Sequence, residues 1–360
     1  MLWSLGWSRV SPPQAVLGER RFWSVGVASF LSSFEHPQEG ENLNVQKPAK
    51  LKKNSKVAVI SPSSNPDHVG IQMGVDLLKK MGLKVVLGDT TRKLLTVRTL
   101  AAEDQLRAKD FNWAFKDDSI DAVLPATGGY GSLRILDLLD YDMIRDHPKV
   151  FMGFSDITAY HIALNQRCNM VTFHGPVVDI EVTKGAEYTK VGIQDLRTAI
   201  RQLMGDQEIG EIKNPSGGMM LMTINDGKAS GRLCGGNLCL VTGTLGSRYE
   251  IDTKGKIFML EEIRESYYYL ESHLTQLRLT RKLDQASGII VGEISETLKP
   301  EGATPSVEDI VRERVGGAGR PSIWGLCCGH GKRNMLLPMN AKVSLDASER
   351  RIRVLERVLE

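Results

Sequence analysis

The sequence predicts an N-terminal parallel α/β sheet flanked by helices, followed by a second part that is mostly β. Short β-branched apolar runs alternate with amphipathic helical segments between about residues 56 and 166. After about residue 230 the chain becomes rich in glycine, with short apolar runs at close intervals. Alternating strands and helices form a parallel sheet, whose functional residues gather at the carboxyl ends of the strands.

The first part opens with a buried strand and a turn. The run 56–60 is apolar and β-branched, and the turn sequence Ser-Pro-Ser-Ser ends it. Val69, Met73 and Leu77 then recur at helical spacing until Gly82 stops the helix. By the same criteria the predicted strands are 56–60, 84–87, 120–125 and 150–153, and the predicted helices are 67–82, 101–116, 132–139 and 157–166.

The second part follows a polar connection that contains one helical segment. The helix is predicted over 191–203 and a further helix over 266–279; the strands are predicted at 238–242, 256–261, 288–294, 322–327 and 342–346. The resulting division is an N-terminal extension, a domain that carries the nucleophile, a linker, and a domain that carries the remaining site residues. Their predicted ranges are 1–50, 51–180, 181–228 and 229–350.

The first residues have a different composition from the rest. Residues 1–34 contain Arg9, Arg20 and Arg21 and several serines, but only Glu19 as an acid. Segments that are rich in arginine and serine and poor in acids are typical of organellar transit peptides. We therefore expect an intracellular protein that is imported into mitochondria, or a cytoplasmic one if the segment is only a disordered extension. Residues 1–50 are not expected to belong to the fold.

Charge, hydropathy and cysteine usage exclude several classes of function. The 46 basic and 43 acidic residues give a net charge of +3 that is spread along the chain, which argues against a nucleic-acid partner. No apolar run is long enough to span a membrane. The odd number of cysteines, five, indicates reduced thiols inside a cell. Cys327 and Cys328 are adjacent but lack metal-ligand spacing, so we expect them to be buried small apolar residues.

Ser155 is the first candidate for chemistry. It follows an apolar strand and Gly153, and it precedes a segment with helical spacing. A serine at such a strand-to-helix turn is lifted above the sheet, next to backbone N–H groups that can stabilise an oxyanion. The segment is not the usual G-x-S-x-G, since Ile157 replaces the second glycine. An alternative is that Ser155 only caps the helix and that Asp156 interacts with its dipole.

A glycine-rich loop ends the neighbouring strand. Thr127 is followed by Gly128, Gly129, Tyr130 and Gly131, and glycines allow the backbone to approach a substrate closely. Neither the dinucleotide fingerprint G-x-G-x-x-G nor a G-x-x-x-x-G-K-[ST] phosphate loop occurs in the sequence. A nucleotide-dependent oxidoreductase is therefore the weaker interpretation.

A serine nucleophile needs a base, and the base needs an acceptor that orients it. His330 lies between two glycines at the end of a predicted strand, which makes it the best-placed base. His174 is near another strand end and is expected to line the site, whereas His161 is expected to be structural. Glu261 and Glu262 end an apolar strand, and because side chains alternate along a strand only one of them can face the cleft. Spacing does not choose between the two.

Taken together these segments resemble the LD-carboxypeptidase and microcin C immunity (MccF-like) family of serine peptidases. The resemblance extends from about Lys56 to Asp346. The segments that carry it are Val57–Pro62, Gly128–Gly131 with Leu136 and Leu139-Asp140, Pro148–Thr158, Thr172–Pro176, Gly235–Leu238, Leu260–Glu262 with Glu265 and Tyr267-Tyr268, and Gly329-His330 with Asn334 and Leu337-Pro338.

The resemblance implies a Rossmann-like N-terminal sheet, a barrel-like C-terminal domain and a Ser-Glu-His triad divided between them, without metal or cofactor. Ser155 matches the family's nucleophile, Glu261 its glutamate and His330 its histidine. An oxyanion hole or substrate contact is implied at Gly128, Gly129, Asp156 and His174. The family also implies a homodimer. Departures occur at Thr127, where many members have arginine, at Tyr269–Glu271 and at Met339-Asn340; they affect the substrate more than the triad.

The expected activity is therefore hydrolysis of an amide bond in a small peptide or an aminoacyl-nucleotide conjugate through an acyl-enzyme. Substrates of the family carry a free carboxylate, so a cationic or N–H-rich pocket is expected. The alternative is a repurposed relative that binds a small peptide or nucleotide without cleaving it. The presence of all three triad candidates favours the enzyme.

Overall fold

A computed structural model of the chain describes residues 44–93, 99–298, 300, 302 and 304–360. Its strands are β1 (Lys56–Ile60), β2 (Lys84–Leu87), β3 (Ala122–Pro125), β4 (Val150–Gly153), β5 (Thr172–His174), β6 (Glu211–Ile212), β7 (Met222–Asn225), β8 (Lys228–Asn237), β9 (Ile257–Ile263), β10 (Gly288–Ser295), β11 (Ser322–Leu326), β12 (Leu337–Met339), β13 (Lys342–Asp346) and β14 (Arg351–Val354). Its α-helices are α1 (His68–Lys80), α2 (Asp89–Lys93), α3 (Asp104–Lys116), α4 (Tyr141–Asp146), α5 (Thr158–Arg167), α6 (Ala186–Leu203), α7 (Leu238–Gly243), α8 (Tyr267–Leu279), α9 (Lys282–Gln285) and α10 (Val307–Gly316).

The first sheet is parallel except at one edge. Its strand order is β12-β5-β4-β3-β1-β2, and β1 to β5 run in the same direction. Successive side chains of β1 enter different cores: Val57 and Val59 pack on one face of the sheet, Ala58 and Ile60 on the other. Such burial of both faces is typical of a parallel sheet covered by helices. The predicted parallel α/β sheet is confirmed.

The last strand of the first sheet comes from late in the chain. β12 pairs antiparallel with β5, with Leu337 opposite His174 and Met339 opposite Thr172. The strand begins only seven residues after His330. This pairing therefore ties the loop that carries His330 to the edge of the first sheet.

The second sheet has the order β6-β14-β13-β8-β9-β10-β11-β7. Its four central strands, β8 to β11, are parallel, and the strands outside them are antiparallel to their neighbours. Apolar side chains of α8 and α10 cover one face, including Leu270, Leu274 and Ile310. The mostly β character predicted for this part is confirmed, and the sheet curls into a half-barrel.

Two predicted elements are wrong. Residues 132–139 form two short 3-10 helices, Ser132–Arg134 and Leu136–Leu138, in place of one α-helix. Residues 238–242 lie in helix α7 and not in a strand, because the Asn237 side chain accepts a hydrogen bond from the Leu240 N–H at 3.3 Å and caps the helix. Short apolar runs do not distinguish the two kinds of element by periodicity alone.

The segment predicted as a linker contains helix α6 and the two edge strands of the second sheet, β6 and β7. The domain boundaries stay a prediction. The proposed transit peptide and nearly all of the predicted 1–50 extension lie outside the described residues. Among the helices of the described part, none is long and apolar enough to cross a membrane.

Candidate active site

Ser155 stands on a strained turn between β4 and α5. It begins a 3-10 helix, Ser155–Ile157. Its backbone φ is 65°, in the left-handed region that residues other than glycine rarely adopt. Gly153 before it packs against Ile157, whose side-chain atoms would lie 3.0 Å from a Cβ at position 153. Strain of this kind is found at functional sites because the surrounding contacts hold it in place.

Buried hydrogen bonds hold this turn. The Asp156 side chain is nearly inaccessible, and it accepts hydrogen bonds from the Ser132 N–H at 2.8 Å and from the Ser132 hydroxyl at 2.9 Å. Burial raises the pKa of Asp156, and its hydrogen bonds with Ser132 oppose that rise. Arg107, itself fully buried, donates to the carbonyl of Gly131 at 3.0 Å and holds the glycine-rich loop in turn.

His330 links the serine to a glutamate of the second sheet. Its Nε2 lies 2.9 Å from Ser155 Oγ, and its Nδ1 lies 2.7 Å from Oε2 of Glu261. Burial opposes a charge on the imidazole, but attraction and hydrogen bonding by Glu261, with a contribution from Glu262, outweigh it. The pKa of His330 is therefore raised above its ordinary value.

The glycines on both sides of His330 lie in close contact with carboxylates. A Cβ at Gly329 would lie 2.1 Å from Glu261 Oε2, and one at Gly331 would lie 1.6 Å from Glu293 Oε2. Gly329 also has a φ of 87°, and its N–H donates to the Asn334 side chain at 3.0 Å. The sequence Gly-His-Gly thus lets the loop lie directly against two carboxylates.

The two adjacent glutamates face different surroundings. Glu261 is fully buried and contacts His330. Glu262 points away from the serine; it accepts hydrogen bonds from the Asn237 amide at 2.9 Å and from the Cys239 N–H at 2.8 Å. Burial raises the pKa of Glu262. Spacing alone did not show which of the two glutamates faces the cleft. In the structure it is Glu261 that points toward His330.

A cavity of about 520 Å³ opens above Ser155 and His330. Gly128 and Gly129 line it, and Gly128 lies against the serine, since a Cβ at Gly128 would be 2.9 Å from that of Ser155. His174 is not on the cavity wall. It is fully buried behind Phe154, with the two ring centroids 6.2 Å apart, and neither of its nitrogens has a hydrogen-bond partner among the described residues.

Charged residues that sequence reasoning missed line the same cavity. They form an acidic group, Asp67, Asp179 and Glu181, and a basic group, Lys184, Arg264 and Lys332. The Asp67 N–H donates to Asp179 at 2.9 Å, and burial, with repulsion from the other two carboxylates, raises the pKa of Asp179 to about 7. Most of these residues lie on the connections that follow strands, and functional residues of a parallel sheet are commonly found there. Their residue types form no sequence motif, so the sequence alone did not identify them.

The basic group is only partly neutralised. Lys184 and Arg264 share one carboxylate, Glu296, at 2.7 and 2.6 Å. Lys332 pairs with Glu187 at 2.6 Å. Two cations on one anion leave a net positive charge at this side of the cavity, where an anionic group of a ligand would be attracted.

A serine hydroxyl on a strained turn, hydrogen-bonded to an imidazole that is oriented by a buried carboxylate, is the arrangement of a serine hydrolase. The sequence profile of the LD-carboxypeptidase N-terminal domain matches residues 57–175, and that of the LD-carboxypeptidase C-terminal domain matches residues 230–345. The chain belongs to the LD-carboxypeptidase family and is a serine-type peptidase. The resemblance seen in the sequence is confirmed.

Known proteins agree with this assignment along most of the chain. The probable murein peptide carboxypeptidase of Bacillus subtilis is 36% identical over 310 residues, which cover 84% of this chain and 92% of that protein. The microcin C7 self-immunity protein MccF of Escherichia coli is 28% identical over 305 residues, or 79% of this chain and 88% of that protein. A solved structure of MccF with glutamyl sulfamoyl guanosine has the same fold, with a TM-score of 0.77 and 23% identity over 87% of this chain and 99% of that one.

Proposed function

We propose that Ser155, His330 and Glu261 form the catalytic triad of this peptidase. His330 Nε2 accepts the Ser155 proton as Oγ attacks the amide carbonyl, and it then returns that proton to the leaving amine. Water next gives a proton to His330 and attacks the acyl-enzyme, which releases the acid and restores the serine. Glu261 holds Nδ1 protonated and balances the imidazolium charge. The observation that carries this proposal is the continuous Oγ···Nε2 and Nδ1···Oε2 contact, at 2.9 and 2.7 Å.

The oxyanion hole would consist of the Asp156 N–H and an N–H of the Gly128-Gly129 loop. The Asp156 N–H lies in the first turn of a 3-10 helix, where N–H groups have no acceptor within the helix. The contact of Gly128 with Ser155 brings the second backbone segment to the same point. His174 would act on this region only through Phe154, by supporting the ring that packs 4.8 Å from that of His330.

The substrate would be a small peptide or an aminoacyl-nucleotide conjugate that has a free carboxylate. The basic group of the cavity supports binding of the carboxylate, and the acidic group supports binding of an ammonium group. Among the relatives, one is named for murein peptides, and MccF has been solved with aminoacyl sulfamoyl nucleosides. Thr127, where many family members have arginine, leaves the cations of the basic group as the candidates for carboxylate binding.

Labelling with a fluorophosphonate tests the nucleophile without knowledge of the substrate. We expect the full chain to be labelled at Ser155 and S155A not to be labelled. S155A should also lose hydrolysis of an L,D-tetrapeptide and aminoacyl-sulfamoyl-adenosine panel by at least about 10⁴-fold, as for other triad nucleophiles. Labelling of a different serine, or turnover by S155A equal to that of the wild type, would refute the triad. Binding of panel members without labelling or turnover would point to the repurposed binding protein.

Assembly and location are two further parts of the proposal. A homodimer is supported by the resemblance to the family, and light scattering coupled to gel filtration would measure it; a monomer at micromolar concentration would contradict it. Import into mitochondria is supported by the arginine-rich, acid-poor composition of residues 1–34. Fractionation of cells that express the tagged full chain, with sequencing of the mature N-terminus, tests it. An uncleaved cytosolic product would contradict import.

A further inference from the structure

Three side chains of different chemical type lie close together where α7, α8 and the connection after β9 meet. Cys239 lies in α7, Glu265 follows β9, and His273 lies in α8; one potential ligand atom from each lies within 4.8 Å of the others. None of the three is among the residues that line the active-site cavity. The triad does not use them, so their convergence needs a separate explanation.

The contacts of Thr242 are compatible with a His273 tautomer whose free nitrogen is Nε2. Thr242 Oγ1 lies 3.0 Å from the carbonyl oxygens of Leu238 and Cys239, and 2.8 Å from His273 Nδ1. Carbonyl oxygens only accept, so Thr242 can donate its single hydroxyl proton to one of them while Oγ1 accepts from His273 Nδ1–H. In that tautomer the lone pair of the neutral ring is on Nε2.

The lone pair on Nε2 of His273 faces a carboxylate. His273 Nε2 is 3.8 Å from Glu265 Oε2, too far for a hydrogen bond. Glu265 is oriented through its other oxygen, which accepts from the Ser266 N–H at 2.7 Å. An imidazole lone pair, a carboxylate oxygen and a thiol thus meet at one place, and a cation satisfies all three.

We propose that Cys239, Glu265 and His273 bind a zinc ion, with the fourth coordination position open to water. Sulfur, imidazole nitrogen and carboxylate oxygen are the three ligand types that zinc takes in proteins, at about 2.0–2.3 Å. In a tetrahedral site such ligand atoms lie roughly 3.3–3.7 Å apart, so small side-chain movements from the present geometry close the site. Binding replaces the thiol proton of Cys239, which is released to solvent.

The site is joined to the strand that carries Glu261. The Cys239 N–H donates to Glu262 at 2.8 Å, and Glu265 lies two residues beyond the end of β9. Zinc would therefore fasten the start of α7 to the connection between β9 and α8. A bound ion that the unfolded chain binds more weakly raises stability by mass action, so we expect zinc to raise the Tm.

The experiment uses the full chain after treatment with a chelator, with Co²⁺ as the spectroscopic probe and Zn²⁺ as competitor. We expect one Co²⁺ per chain to produce a thiolate-to-metal charge-transfer band that Zn²⁺ abolishes. C239S should lack the band, and E265Q and H273Q should bind Co²⁺ more than about 100-fold more weakly, because each loses a direct ligand. H68Q, which changes an exposed histidine on α1, is the matched control and should bind as the wild type.

A second measurement covers the case in which a variant is destabilised. Cys239 is exposed and the other four cysteines are buried, so we expect the thiol of Cys239 to react first with a disulfide reagent in the native protein. Zn²⁺ should slow this reaction in the wild type and in H68Q, but not in H273Q. The proposal is overturned if the wild type shows no charge-transfer band, if C239S retains it, or if Zn²⁺ protects the thiol equally well in H273Q.

Discussion

The two sheets contribute to the active site in different ways. The first sheet presents Ser155 through contacts that are close in sequence: the turn after β4, the Asp156 side chain and Ser132, which is 24 residues away. The second sheet presents Glu261 in contact with His330, 69 residues further on, and His330 contacts Ser155, which lies 175 residues earlier in the chain. The position of the Ser155 hydroxyl is thus a local property of one turn, whereas the position of the His330 imidazole relative to it depends on the packing of the two sheets.

The contact between the sheets next to Ser155 is correspondingly close. The Asn237 N–H at the end of β8 donates to the Thr158 hydroxyl at the start of α5, at 3.0 Å. A Cβ at Gly236 would lie 2.5 Å from the same hydroxyl, so only glycine allows this approach. A change on either side of this contact is expected to alter the distance between serine and base.

The largest expected effect separates the two glutamates of β9. E261Q removes the charge that orients and stabilises the His330 imidazolium, so kcat should fall about 10³–10⁴-fold, as in other triads that lose the carboxylate. E262Q is the matched control: it should keep kcat within about tenfold but lose roughly 1–3 kcal/mol of stability, because the amide that the substitution introduces would face the N–H donors of Asn237 and Cys239. Steady-state kinetics and urea unfolding measure both. The reverse order of the two effects on kcat would show that Glu262 orients the base.

The next effect concerns the acidic group on the side of the first sheet. The pKa of Asp179 is about 7 in the folded protein, against an ordinary value of 3.8, so its burial favours the protonated form. The folded state keeps this advantage at acid pH and loses it as the pH rises through about 7. D179N cannot ionise and does not lose this stability. The free energy of unfolding of D179N relative to the wild type should therefore be about 2–4 kcal/mol larger at pH 9 than at pH 5. Urea unfolding at both pH values measures it, and a difference that does not vary with pH would contradict the assignment.

A smaller effect is expected from the residue that fastens the Ser155 turn. D156N places an amide where a buried carboxylate accepts from both the N–H and the hydroxyl of Ser132. We expect kcat to fall about 10–100-fold with little change in KM, because the position of the serine changes while the cavity does not. S132A removes only one of the two donors and should have a smaller effect in the same direction. Equal loss in kcat for D156N and E261Q would contradict the conclusion that the turn carrying Ser155 is positioned independently of His330.

The smallest effect is a shift in pH dependence. His330 must be unprotonated to act as a base, so kcat/KM should decrease as the pH falls through its raised pKa. In E261Q the attraction that raises this pKa is absent, and the acid limb of the remaining activity should move to lower pH. A pH–rate profile of both proteins measures the shift; an unchanged acid limb would assign it to a group other than His330.

The local features of the chain were the predictable ones. β1, β2 and β4 have the predicted bounds because short apolar runs between turn residues identify strands. The candidates Ser155 and His330 were found because each follows a strand and lies within two residues of a glycine. The choice of Glu261 came from the resemblance, since the side on which each carboxylate lies depends on how β9 pairs with its neighbours.

The remaining features depend on contacts between distant segments. β12 is three residues long and contains a proline, so nothing local identifies it as the edge of the first sheet. Asp179 and Arg264 meet in one cavity only because two sheets pack together. Cys239, Glu265 and His273 lie on two helices and a connection with no metal-binding spacing, and no sequence pattern brings them together.

The pairing of β12 with β5 has a consequence for synthesis of the enzyme. A nascent chain that has emerged as far as β5 already contains Ser155, but the edge of that sheet is open and residues 330–339 are still to be translated. The histidine and the strand that closes the edge arrive within ten residues of each other. The proposed triad can therefore be complete only after the last part of the chain has folded back onto the first.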